Sequence, residues 1–237
     1  MKSAAKAVLE GTLRRLAFDK RTIDAVKFDL RRAWTRSRYA RTQARPKETK
    51  LQLGAGGRAV PGWQNCDITA SQYDVDLAVM PLPFADNHFE SIVAQHTIEH
   101  LEFDPQVIEL FRDCHRMLRP GGKVWFSCPD LEKICAAYMN DRCRTLDRGL
   151  KRHWPNAETD GFPVQHRINY YFHQGGEHKN LMDYEMLEWA LRHVGFVEVR
   201  RGDEAAFLTD YPEFPRRNDD WESVYVTARK APLQEPA

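Results

Sequence analysis

Apolar and polar positions divide the chain into a helical stretch followed by a longer region of short strands and helices. Over residues 4–38 apolar side chains recur at helical spacing. Leu9, Leu13 and Leu16 share one face; Ile23, Val26, Leu30 and Trp34 share another, with Thr22 placed to cap the second helix. Arg41 to Glu48, around Pro46, is polar and reads as a linker. Lys50-Leu51-Gln52-Leu53 then alternates like the end of a buried strand. Further short strands are predicted at 65–68, 73–77, 89–94, 123–128, 196–200 and 221–230. Helices are predicted at 104–118, opened by Asp104-Pro105, at about 131–140 behind Pro129-Asp130, and at 184–193 behind Asp183. Strands alternating with helices in this way predict an α/β domain on a mostly parallel sheet.

Two connections stand out. Gly54-Ala55-Gly56-Gly57 follows the first strand, where glycines let the backbone turn sharply and approach a ligand closely. In an open parallel sheet ligands lie beyond the carboxyl ends of the strands, so this turn reads either as a cofactor cradle or as a plain turn. Ten residues, including Pro61-Gly62, separate Gly56 from Asp67, too few for a full crossover helix. Asp67 at the end of the second strand can accept hydrogen bonds from both hydroxyls of a ribose, or cap a helix. Residues 141–181 lack clean periodicity and hold Tyr170, Tyr171, Phe172, His166, His173 and His178; a segment of that length reads as a lid or acceptor-binding insertion. Domain boundaries follow: a basic extension and linker over 1–47, and a body over 48–237.

Charge sharpens the division. Residues 1–50 carry 15 Lys/Arg against 5 Asp/Glu, a net +10, whereas the remainder carries 20 against 29, a net −9. A basic amphipathic arm of this kind can dock on its own acidic body, on a second copy, or on the anionic inner face of a membrane. Nucleic acid is disfavoured, because no aromatic pattern is interleaved with the charge. Cys66, Cys114, Cys128, Cys135 and Cys143 are odd in number and fit no disulfide or zinc-ribbon spacing, so they read as free thiols in a reducing compartment. No apolar run approaches a bilayer span, and the expected location is cytoplasmic, with peripheral attachment through residues 1–45 left open.

Four ordered pieces, LQLGAGG, PGWQNCDI, LPFADNHFESIVAQHTIEHL and LRPGGKVWFSCPD, resemble the class I S-adenosylmethionine-dependent methyltransferases. Within them the chain is similar to the type-11-like bacterial enzymes associated with surface polysaccharides. The resemblance spans about Lys50 to Lys230 and implies a seven-stranded Rossmann-like sheet of order 3-2-1-4-5-7-6, its last strand antiparallel. It implies S-adenosyl-L-methionine as cofactor, with Gln52, Gly54, Ala55 and Gly56 at its methionine end and Asp67 on the ribose. Asp76 and Leu77 then lie near the adenine, and Gln95 and His96 line the gap to the acceptor. Gln52 stands where the family commonly has an acidic residue, and Arg58 where a third glycine is usual.

A sulfonium already carries an activated methyl group, so the protein must align an acceptor and, for a hydroxyl, take up its proton. His178 and His100 are the candidate bases. The resemblance implies a hydroxyl of a cell-surface glycan or its precursor as acceptor, with a small metabolite as the nearest alternative. Two rivals come from other classes. His96-Thr97-Ile98-Glu99-His100 matches the H-x-x-E-H of inverted zinc peptidases, which needs a helix of several turns and a third ligand. The nearby Asp104-Pro105 argues against that helix, and no metal ligand is assigned. A non-catalytic nucleotide-binding module is the second rival.

Overall fold

The computed structural model describes residues 8, 11–39, 46–68, 71–153 and 161–233. Its centre is a seven-stranded sheet of order β3-β2-β1-β4-β5-β7-β6. The strands are β1 (Lys50–Leu53), β2 (Gln64–Asp67), β3 (Tyr73–Asp74), β4 (Phe89–Gln95), β5 (Leu118–Pro129), β6 (Val197–Gly202) and β7 (Ser223–Arg229). β1 to β5 pair in parallel, and β7 lies antiparallel between β5 and β6. This is the expected order, and all the parallel carboxyl ends point to one edge.

The two faces of the sheet are covered differently. Ile92, Ala94, Val124 and Phe126 point into the main core, with Phe111, Cys114 and Leu187 from helices α2 (Ile108–Met117) and α6 (Tyr184–His193). Their neighbours Val93 and Trp125 point the other way, as the two-residue period of a strand requires, into a second cluster with Val60, Trp63, Phe207, Tyr211, Phe214 and Tyr225. Residues 54–63 form turns and no helix, as the ten-residue connection predicts. Buried Asn65 holds that connection closed: it accepts from Val60 N–H at 2.8 Å and donates to the Val60 and Trp63 carbonyls. The area a crossover helix would cover is filled by Trp63 edge-on to Tyr211 and Phe214, which follow helix α7 (Glu204–Asp210).

Several local expectations need correction. The predicted helix start at Asp104-Pro105 is displaced, because Asp104 is extended (φ −118°, ψ 123°), as a residue before proline tends to be. A wide turn over Phe103–Val107 comes first, and the regular helix begins at Ile108. Helix α1 (Lys20–Tyr39) is capped by Asp19, whose Oδ1 accepts the Thr22 N–H at 2.8 Å, and not by Thr22. Within the 141–181 segment α4 (Arg144–His153) and α5 (His166–His173) form a small core of their own, Leu146, Leu150 and Tyr171 packing on Ile134 of α3 (Leu131–Asp141). Asp130, Asp183 and Asp203 each cap the helix that follows by accepting a backbone N–H.

Of the predicted stripe on α1, Ile23 is buried but Leu30 and Trp34 are exposed. The helix instead meets the body through a face carrying Arg32, Thr35 and Arg36: Thr35 Oγ1 donates to the Ile68 carbonyl at 3.0 Å, and both guanidinium groups reach Asp76. Leu9 lies outside the described residues. The five cysteines are free thiols.

Candidate active site

The site is built on the carboxyl ends of β1, β2 and β4. Gly54 and Gly56 both have positive φ, +66° and +51°. A Cβ on Gly54 would lie 2.1 Å from Thr97 Oγ1, so the glycine turn packs directly against the segment leaving β4. Nothing lies within 4 Å of a Cβ built on Gly56, which leaves that side of the turn open to a ligand. The turn is tied down by Ala55 N–H to the Cys66 carbonyl at 2.9 Å and Gly56 N–H to Asp67 Oδ2 at 2.7 Å. Asp67 therefore sits beside the turn at the end of β2. Gln52 is buried; its Nε2 donates to the Arg58 carbonyl at 3.2 Å, while its Oε1 is enclosed with no hydrogen-bond partner in the protein. An enclosed amide oxygen costs free energy unless a donor reaches it.

Asp76 and Leu77 are both buried. Asp76 Oδ2 accepts from Arg32 Nε at 2.9 Å and Arg36 Nε at 2.8 Å, and its Oδ1 from Ala78 N–H at 3.1 Å. The basic extension thus closes on a residue of the expected adenine side, a contact that the sequence pattern does not disclose. Gln95 ends β4, and His96 follows it with φ +51°, a left-handed conformation uncommon outside glycine and costly enough to be held only by its surroundings.

Those surroundings are explicit. His96 Nε2 lies 3.0 Å from Asp219 Oδ2 and 2.8 Å from Ser223 Oγ, and Nδ1 is 3.4 Å from Glu99 Oε1. Burial opposes charge on the ring, but the two carboxylates outweigh it and raise its pKa to about 9. Asp219 is held well below the usual carboxylate range: burial pushes it up, but hydrogen bonds from His96 and Tyr225 and the nearby Arg217 more than compensate. His96 is accordingly an imidazolium bracing two carboxylates, not a free base. Asp219 and Ser223 belong to this site and escaped the sequence reading. They lie at the end of a polar loop and the start of β7, with no periodic signal to mark them.

Ile98–His100 is one 3-10 turn, so His96 and His100 do not stand one turn apart on a regular helix as a zinc peptidase requires. The structure instead brings His100 to His178. Their rings lie 5.1 Å apart, edge to face, and His178 is buried, which lowers its pKa and keeps it neutral. The end of the 141–181 segment is laced to the turn here: Lys179 N–H donates to the Glu99 carbonyl at 2.8 Å and Asn180 Nδ2 to the Leu101 carbonyl at 2.5 Å.

A glycine turn at a parallel strand end, an acidic residue on the next strand and this sheet order are the features expected of a nucleoside-cofactor site. Residues 51–126 match the family model described as the methyltransferase domain. Over those residues the chain is similar to the methyltransferase domain, on a sheet of the order that such domains have, and the cofactor that this similarity implies is S-adenosylmethionine. The open face of Gly56, the enclosed Gln52 oxygen and Asp67 fit that group. Phosphoethanolamine N-methyltransferase 2 of Haemonchus contortus, in complex with S-adenosyl-L-methionine, is 15% identical with a TM-score of 0.44; the match covers 79% of this chain and 50% of that one. The same enzyme with phosphomonomethylethanolamine and S-adenosylhomocysteine is 14% identical, TM-score 0.45, covering 78% and 50%. This chain thus spans about half the length of those enzymes. An S-adenosylmethionine-dependent methyltransferase of Mesorhizobium loti is 18% identical, TM-score 0.43, covering 82% and 97%. No curated protein matches the chain.

Proposed function

We propose that this protein methylates a hydroxyl of a cell-surface glycan or a glycan precursor. One observation carries the reading: Thr97, which packs on Gly54, lies three residues before His100, so the cofactor turn and the paired histidines share one short stretch. When bound, S-adenosylmethionine supplies a methyl group that passes from its sulfonium to the acceptor oxygen, leaving a neutral thioether and a proton to be removed. The chain's own residues do the rest. Gln52 Oε1 would accept from the amino-acid end, Asp67 would accept from the ribose hydroxyls, and Asp76 and Leu77 would border the adenine. Gln95 and the charged His96 would close the floor between cofactor and acceptor.

Proton removal falls to the His100–His178 pair, since His96 is already charged. His178 is neutral and its Nδ1 is occupied by the Tyr171 carbonyl, which leaves Nε2 to accept. The glycan is supported by the four-part resemblance and by a lid that exposes Phe162 and Phe172 beside His166 and Asn169. The outward side of α1 exposes Phe28, Leu30 and Trp34 beside Arg31, which suits attachment to an anionic inner membrane face. No helix of the described residues is long and apolar enough to cross a membrane.

Incubating a cell-envelope glycan extract with the protein and methyl-deuterated cofactor tests this by mass spectrometry. One labelled methyl on a sugar oxygen is expected. Label confined to small metabolites would favour the alternative acceptor, and no label anywhere would end the reading. Flotation with anionic vesicles tests the attachment; a dimer in place of vesicle binding would assign α1 to self-association.

A further inference from the structure

We propose that Glu99, His100 and His178 form a binding site for a divalent transition-metal ion. One ligand atom from each of the three residues lies within 4.8 Å of the others, a spacing that a single ion can bridge. The two rings are set up for it. His100 Nδ1 donates to the Glu177 carbonyl at 3.2 Å, and His178 Nδ1 donates to the Tyr171 carbonyl at 2.5 Å. A carbonyl oxygen has no proton to give, so each Nδ1 carries the hydrogen and each Nε2 presents a lone pair. Metal-bound histidines are held in this way, with the far ring nitrogen donating to a carbonyl or carboxylate that fixes tautomer and orientation.

The carboxylate completes the set. Glu99 is 1% exposed. Its Oε1 faces His96, but its Oε2 is enclosed without any hydrogen-bond partner. Buried carboxylate oxygens are rarely left alone, and a cation beside this one satisfies it. The ligands come from two segments, the turn after β4 and the lid, and the hydrogen bonds from Lys179 and Asn180 hold those segments in register. The set differs from the H-x-x-E-H motif, because His96 is committed to Asp219 and the lid's His178 takes its place.

Two imidazoles and one carboxylate suit zinc, manganese, cobalt or iron better than magnesium or calcium, which prefer oxygen alone. Three protein ligands leave coordination positions open. We assign one of these to the acceptor hydroxyl: with both Nε2 lone pairs on the ion, the ion would take over from the histidine base by acidifying that hydroxyl, its proton passing to solvent. This assignment rests on the methyl-transfer reading, whereas binding of the ion does not.

Cobalt(II) titrated into the full-length protein, after treatment with a chelator, tests the site by calorimetry and visible absorption. One ion per chain is expected, with an absorption band from the ligated ion. His100→Ala and Glu99→Gln should each weaken binding by at least ~10-fold, in line with the cost of disturbing metal-site residues. His100 is only half-buried, so its variant should keep the wild-type circular dichroism; if Glu99→Gln does not fold, His100→Ala decides alone. No bound cobalt in the wild type, or equal affinity in a folded variant, would overturn the site. Cofactor affinity measured on the same samples separates the two readings: S-adenosylmethionine binding without cobalt binding sinks only the metal, and cobalt binding without methyl transfer sinks only the function.

Discussion

Gly54 carries the tightest steric constraint at the site. An alanine there meets the Thr97 side chain and must also hold φ +66°, so the turn and the 97–100 segment are both displaced. Gly54→Ala is expected to lose at least ~10-fold in cofactor affinity, the scale of a strained left-handed position plus a clash. Gly57→Ala has nothing within 4 Å and should stay near wild type, and calorimetry on the pair separates sterics from general loosening. Asp67→Ala is expected to weaken cofactor binding by about 1–3 kcal/mol, the range for hydrogen bonds to a charged group. Unchanged affinity would remove Asp67 from the site.

Asp219 makes a residue-scale statement about pH. Its folded pKa is depressed, so its contribution to stability is present above the unfolded value of about 3.9 and is lost as pH falls below it. A series of melting curves between pH 6 and pH 3 should therefore fall less steeply for Asp219→Asn than for wild type, from a lower starting stability. Parallel curves would show that the carboxylate is not the group responsible. The glycine turn and Asp67 could be read from sequence because strand, turn and strand end are local. Asp219 could not, because its partner His96 is more than a hundred residues away and the loop around it carries no pattern.

Among elements, α1 changes most between sequence and structure. Its apolar stripe suggested which side would dock, yet Leu30 and Trp34 face outward while Arg32 and Arg36 share the Asp76 carboxylate. Amphipathic spacing marks a helix, but where several polar residues can find a buried charge the docking side is set by that charge. Helix α1 is therefore tied to a residue of the proposed cofactor site. Replacing Arg32 and Arg36 together by Ala leaves Asp76, 3% exposed, without its ion pairs. That should cost about 2–4 kcal/mol of stability, reduced from the fully buried case because both arginines are partly exposed. Denaturant melts check the stability and calorimetry the expected loss of cofactor affinity; a variant as stable as wild type would show the contact to be incidental. Helices α4 and α5 escape the sequence pattern for a different reason. Leu146 and Leu150 are spaced for a helix, but the stripe is narrow and charge surrounds it, so its burial depends on α3 and Tyr171.

In the molecule as a whole, the strand order and the antiparallel β7 follow the family pattern, and the motifs that carry it lie where the parallel strands end. The sheet also absorbs its one large departure, the missing first crossover helix, by filling that face with Trp63 and the aromatic residues of 207–214. These were not predicted, since only the fold brings residues 60–63 against 207–214. The segment leaving β4 packs on the Gly54 turn through Thr97 and carries His96 and His100, the latter against His178, which together make up the proposed site. Hydrogen–deuterium exchange with and without S-adenosylmethionine tests that arrangement most directly. Protection is expected at residues 52–57, 67–68, 76–77 and 95–97, together with the part of α1 that carries Arg32 and Arg36. Binding that left those segments unprotected, or protected the opposite edge of the sheet, would contradict the site.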